Sequence, residues 1–142
     1  MTEVLDREHT ACWLIHVIAN STAKRFDFEL KKHGLTVALW PTLMCLWEQE
    51  GITQRAIAQK SKVENSTTTR TLNKLERLGL IERRPAPSSR RSFNIYLTEN
   101  GRTIQDDLLP LPVHVNQEYL NILEPDERKE ISHLLKKIVS RI

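Results

Sequence analysis

Glycine is scarce in this chain, with four residues in 142, none of them in a GxGxxG or GKS/T arrangement. A glycine-rich loop able to cradle a nucleotide phosphate has nowhere to form. Cysteine is scarcer still. Cys12 and Cys45 have neither a metal-ligand spacing nor a secretory context, so no structural disulfide is expected. His9, His33, His114 and His133 form no ligand spacing with each other or with the cysteines, and no metal or other cofactor is expected. No apolar run approaches the ~20 residues of a membrane span, and the start of the chain lacks a signal-peptide pattern. The expectation is a cytoplasmic protein with no membrane partner. Serine, histidine and acidic residues occur, but no nucleophile–base or paired-carboxylate motif sets them together, so an enzyme is not the reading.

What is present is concentrated in one stretch. Between Thr53 and Asn94 ten lysines and arginines stand against three acids, a net +7, whereas the whole chain is +3. A merely solubilising surface would not be so uneven. Thr53 caps a short helix pattern, Lys62-Val63-Glu64 makes a turn, and Asn65 or Ser66 caps a second helix. Thr68, Leu72, Leu75 and Leu78/Gly79 fall on one face of that helix. The other face carries Ser66, Thr69, Arg70, Asn73 and Arg77, side chains of the types that reach base edges and phosphates. Leu80–Arg84 reads as a strand. Phe93, Ile95 and Leu97 alternate as a second strand, with Pro85–Ser92 as a loop carrying Arg90 and Arg91 at its far end. Helix, turn, helix and basic hairpin make a winged helix-turn-helix. Its second helix would enter the major groove, and its wing would lie along the backbone or dip into the minor groove.

The expected fold class is therefore mainly α with a small β-hairpin wing. Residues 1–142 are read as one domain, with the winged core over about 36–98 and flanking helices over about 6–33 and 99–142. The first helical pattern runs from Asp6 to His33. A second, capped by Thr36 and nearly all apolar, runs to Glu50, with Pro41 tolerated if the true start lies near Leu39 or Trp40. Thr98 caps the helix after the wing. Pro110 and Pro112 interrupt it, with helix resuming near Val113, and Leu123–Glu127 is the junction to the last helix. The first and last helices carry more apolar surface than one small winged core covers, which points to a subunit interface.

The string LWEQEGITQRAIAQ, the string NSTTTRTLNKLERLGLIERR, the wing ending SRRSFNIYLTENG and the C-terminal EPDERKEISHLLKKI stand in a specific order. Together they resemble the MarR family of bacterial transcription regulators over nearly the whole chain. The resemblance implies a homodimer whose N- and C-terminal helices interlock and whose two winged lobes bind double-stranded DNA at a pseudo-palindromic operator, most simply as a repressor. It places base contacts at Asn65, Ser66, Thr67, Thr69 and Arg70, phosphate contacts at Gln54 and Lys74, and wing contacts at Arg90 and Arg91. The family commonly has an acid before the first wing arginine, where this chain has Ser89, so an acid–arginine brace is missing and Pro85 and Pro87 are expected to stiffen the loop instead.

The same resemblance suggests an effector. Many members bind a small aromatic acid, for which Trp13, His16, Arg25 and Trp40 supply rings and a cation. Ordinary packing of the tryptophans and a solvated Arg25 are the competing readings. The alternative effector chemistry is thiol oxidation at Cys12, which lies about where the organic-hydroperoxide-sensing branch carries its reactive cysteine. Tyr96 and Tyr119 lie outside the first two helices, where that branch places its supporting phenols. The bland reading of Cys12, and more so of Cys45, is a small packed core residue. A winged-helix adaptor that binds only proteins is a further alternative, and it predicts a neutral or acidic second helix.

Overall fold

The structure is a computed structural model that describes residues 6–142, apart from the side chains of residues 89 and 90. The chain forms two compact units, Met1–Leu108 and Leu109–Ile142. It is mainly helical, with one small antiparallel sheet.

In the first unit, α1 spans Ala11–Leu30 and follows a short 3-10 turn at Arg7–His9. Thr10, in extended backbone (φ −82°, ψ 118°), separates the two, so the pattern from Asp6 is not one continuous helix. A second 3-10 turn follows α1 and stops at Gly34, whose φ of 73° is the left-handed conformation that ends helices. Asp27 then accepts the Val37 N–H at 2.7 Å and anchors the entry to the next segment. Helix α2 spans Trp40–Glu48 with Pro41 in its first turn, where a missing N–H costs nothing. It is the central buried helix expected from its composition: Trp40, Leu43, Cys45 and Leu46 are all buried.

The winged core follows. A two-residue strand, β1 (Ile52–Thr53), leads directly into α3 (Gln54–Ser61) and then α4 (Asn65–Arg77). Thr53 caps α3 as expected, accepting the Ala56 N–H at 3.2 Å. Lys62 makes the turn in left-handed backbone (φ 58°). The start of α4 differs from expectation. Its N-cap is Glu64, which makes no side-chain cap bond, and Asn65 and Ser66 already lie within the helix. Thr68, Leu72 and Leu75 face the core as predicted, joined by Thr71, while Leu78 is exposed.

The wing consists of β2 (Ile81–Ala86) and β3 (Ser89–Leu97), and the sheet order is β1-β3-β2. The loop expected over Pro85–Ser92 is in fact a two-residue turn at Pro87-Ser88, with Ala86 opposite Ser89. Pro85 fits inside β2 because β2 is an edge strand, and the register shifts beside it. Arg90 and Arg91 therefore belong to β3 rather than to a loop. Phe93 is 46% exposed, so the inward alternation holds only for Ile95 and Leu97.

The first unit ends with α5 (Glu99–Leu108), capped by Thr98, whose hydroxyl accepts the Gly101 N–H at 3.2 Å and donates to Gly79 O at 2.6 Å. Glu50 ties this junction to the end of α2. Its carboxylate accepts from Leu97 N at 2.8 Å and from Arg102 Nη2 at 2.8 Å.

The second unit holds α6 (Pro110–Leu120) and α7 (Pro125–Val139). The proline break occurs, but helix resumes at Pro110 itself rather than near Val113, because prolines fit the first turn of a helix. Glu124 and Glu127 form a reciprocal capping box at the start of α7.

Candidate nucleic-acid interface

Helix α4 presents its polar face outward because Thr68, Leu72 and Leu75 hold the opposite face in the core. Ser66, Arg70, Asn73, Lys74 and Arg77 are exposed, and Thr67 and Thr69 are half-buried. Among the described residues, Arg70, Lys74 and Arg77 form no ion pair. Their charge is not neutralised within the fold and is available to phosphates or guanine edges. The first backbone bond at this end runs from Thr68 N to Glu64 O at 2.9 Å. The N–H groups of the preceding turn point out at the positive end of the helix dipole.

Gln54, the first residue of α3, reaches across to the start of α4. Its Nε2 donates to Thr69 Oγ1 at 2.5 Å and to Asn65 Oδ1 at 3.2 Å. The amide expected to meet a phosphate is thus committed to joining the two helices. The other end of the amide is a carbonyl oxygen, which offers a phosphate no hydrogen. Thr69 in turn donates its hydroxyl to Asn65 O at 3.0 Å.

Eight of the ten cations of the basic stretch fall into two groups. Arg83 in β2 reaches back to α4, pairing with Glu76 at 3.2 Å and donating to Asn73 Oδ1 at 2.9 Å. Arg84 pairs with Glu82 and stacks 4.1 Å over the Tyr96 ring. These two arginines build the wing. Arg55, Lys62, Arg70, Lys74, Arg77 and Arg91 are exposed. A cleft of about 270 Å³ lies where the starts of α3 and α4 meet the wing, lined among others by Gln54, Arg55, Asn65, Arg83, Arg91 and Phe93. The Arg90 side chain, and the brace question at Ser89, lie outside the described side chains. Reading the sequence alone counted Arg55 and Arg83 only as charge. Arg83 pairs with residues seven and ten positions away through the tertiary fold, and no periodicity signals that.

This geometry has counterparts. The family model described as MarR family matches residues 35–93, the winged core. The HTH-type transcriptional regulator SarZ of Staphylococcus haemolyticus is 27% identical over 129 residues, covering 91% of this chain and 86% of that protein. Over its winged core the chain is thus similar to the MarR family. Among other relatives, the organic hydroperoxide resistance transcriptional regulator of Bacillus subtilis is 28% identical over 105 residues, 74% of this chain and 71% of that one. The crystal structure of the S. aureus MepR–DNA complex superposes with a TM-score of 0.86 at 26% identity, covering 94% of this chain and 98% of that one. The transcriptional regulator SlyA gives 0.84 at 28% identity over 89% of each chain.

The structure does not gather the four residues named for an aromatic-acid effector. Trp13 and His16 lie side by side on α1 with ring centroids 5.8 Å apart, and Trp13 is 36% exposed. Arg25 is paired with Glu29 at 3.0 Å. Trp40 is buried between Phe26 at 5.3 Å and Trp47 at 5.4 Å. None of the four lines any of the three described clefts. Cys12 is exposed on α1, so the core reading does not hold for it, whereas Cys45 is buried and burial pushes its thiol pKa up.

Proposed function

We propose that the protein is a homodimeric repressor that occupies a pseudo-palindromic operator. The observation that carries this is the unneutralised cation face of α4, with Arg70, Lys74 and Arg77 exposed on the helix that the fold presents outward. A winged-helix adaptor has no use for such a face. Asn65, Ser66, Thr67, Thr69 and Arg70 read bases. Lys74, together with Gln54 once its amide is released, meets phosphates, and Arg90 and Arg91 track the backbone from the wing. The dimer reading is supported by apolar side chains left uncovered in each unit. Leu14, Ile15, Val17 and Ile18 of α1 are each 44–48% exposed, and on α7 Leu134, Leu135, Ile138 and Val139 are 43–55% exposed. A second copy that covers both faces removes this apolar surface from water. The S. aureus MepR structure, a complex with DNA, supports the partner class.

The effector assigned first is a small aromatic acid at Trp13 and His16 on α1, with Arg25 released from Glu29 to meet its carboxylate and Trp40 as a packed backing ring. A second reading has its own observation, the exposure of Cys12 on α1 in a chain similar to a hydroperoxide resistance regulator. In that reading the Cys12 sulfur attacks the outer oxygen of a hydroperoxide. An S–O bond forms, the O–O bond breaks, the alcohol leaves, and the sulfenic acid displaces the helix from its place.

Fluorescence anisotropy tests these readings with a duplex recovered by selection from a random pool, compared with a random duplex. Preferential, salt-sensitive binding is expected. Release by salicylate and not by cumene hydroperoxide selects the first effector, and peroxide release lost in Cys12→Ser selects the second. Salt-insensitive or absent binding rejects the DNA reading.

A further inference from the structure

Arg83 sits in the middle of the wing's edge strand, opposite Ile95, and its side chain does not point away from the protein. It is 22% exposed and spans to α4, where its two terminal nitrogens take separate partners. Nη2 donates to Asn73 Oδ1 at 2.9 Å, and Nη1 meets Glu76 Oε1 at 3.2 Å. Asn73 and Glu76 are three residues apart and so share a face of the helix. A planar guanidinium held at two points on a helix face fixes direction as well as distance. The two elements that this fork joins are the reading helix and the wing.

We propose that Arg83 is a positioning residue for DNA binding. It holds the wing at the angle to α4 that lets helix and wing engage one duplex together, and Asn73 and Glu76 are its receptors rather than base-contacting groups. This rests on the DNA reading above. Glu76 makes the proposal sharp, because its charge and its position predict opposite signs. As an acid beside a phosphate chain it repels, so removing its charge strengthens binding to any duplex. As a receptor for Arg83 it orders the interface, so removing its charge weakens binding to the cognate duplex.

The test measures affinity for the selected duplex and for a random duplex in wild type, Glu76→Gln, Asn73→Ala, Arg83→Ala and the double variant Arg83→Ala/Glu76→Gln, with thermal melting of each. Glu76 is 46% exposed, so its variant keeps the fold. The expected result is a loss of about threefold to fivefold on the selected duplex for each single variant. The double variant loses no more than Arg83→Ala alone, random-duplex binding by Glu76→Gln does not weaken, and melting is unchanged. Tighter or unaltered binding of the selected duplex by Glu76→Gln overturns the proposal, as does an equal loss on both duplexes. Wild type that prefers neither duplex rejects the DNA reading itself and takes this proposal with it, an outcome visible before any variant is made.

Discussion

Gly101 is the third residue of α5 and is buried against the entry to the wing. A Cβ added there would lie 2.2 Å from Leu80 O, 3.2 Å from Leu80 C and 3.2 Å from Leu97 Cδ2. The obstructing atom is a backbone oxygen that already accepts the Thr98 N–H at 3.0 Å. It has no rotamer to change. Relief requires the helix start to retreat by about 1 Å, an overpacking strain of ~1–3 kcal/mol. The retreat also stretches the Thr98 bonds, at ~1 kcal/mol for each one lost. Against this, alanine is the better helix former by about 1 kcal/mol. The balance is a net loss of about 1–3 kcal/mol, or roughly 3–10 °C in melting temperature. Gly34 is the comparison. Its φ is 73° and nothing stands within 4 Å, so Gly34→Ala pays only the left-handed backbone, about 1 kcal/mol. Thermal unfolding followed by circular dichroism should rank Gly101→Ala below Gly34→Ala, although helix propensity alone gives the reverse order. If Gly101→Ala melts at or above wild type, the packing argument at this junction is wrong.

Other outcomes follow from the same geometry. Arg70→Ala should cost about 1–3 kcal/mol on the selected duplex and relax one base preference, whereas Lys74→Ala should weaken binding evenly and lower the salt slope by about one. Identical losses on selected and random DNA for both would remove that division of labour. Iodoacetamide should label Cys12 well before Cys45, because Cys45 is buried and its pKa is raised by that burial; peptide mapping after a short exposure reads the order, and equal labelling refutes it. Glu29 accepts hydrogen bonds from Lys32 and then Arg25, which hold its carboxyl below the usual carboxylate range. Its folded pKa is depressed, so its small contribution is present above ~4.3 and fades as the pH falls through the folded value. Glu29→Gln should therefore lower the melting temperature at pH 7 slightly and leave it unchanged at strongly acid pH.

The parts of the fold legible in the sequence are those governed by local rules. The amphipathic spacing of α4 and the caps at Thr53 and Thr98 could be read from a few neighbouring residues, and the structure holds all three. What escaped reading depends on partners distant in sequence. Strand β1 is two residues long, too short to show a period, and exists because Ile52 and Thr53 pair with Ile95 and Asn94. The wing reads as a loop from Pro85 onward because proline breaks most strands, yet β2 is an edge strand and accommodates it. The cap of α4 falls at Glu64, one residue before the side chains that cap best, so composition misplaces the start. In the candidate interface, charge marked a stretch of the sequence but did not distinguish arginines that build the wing, such as Arg83 and Arg84, from those without an ion pair, such as Arg70.

The two-residue turn makes the wing a lever. The strands pair without interruption from Ile81 opposite Leu97 to Pro85 opposite Phe93, beyond which the register shifts. Six residues of β2 at ~3.3 Å each give an arm of about 20 Å. A rotation of ~6° at the foot then displaces the tip by about 2 Å, enough to take a hydrogen bond from its working length to none. The foot is where Glu50 holds both Leu97 and Arg102. A shift of α5 that turns this fulcrum slightly moves the tip by an amount of that order.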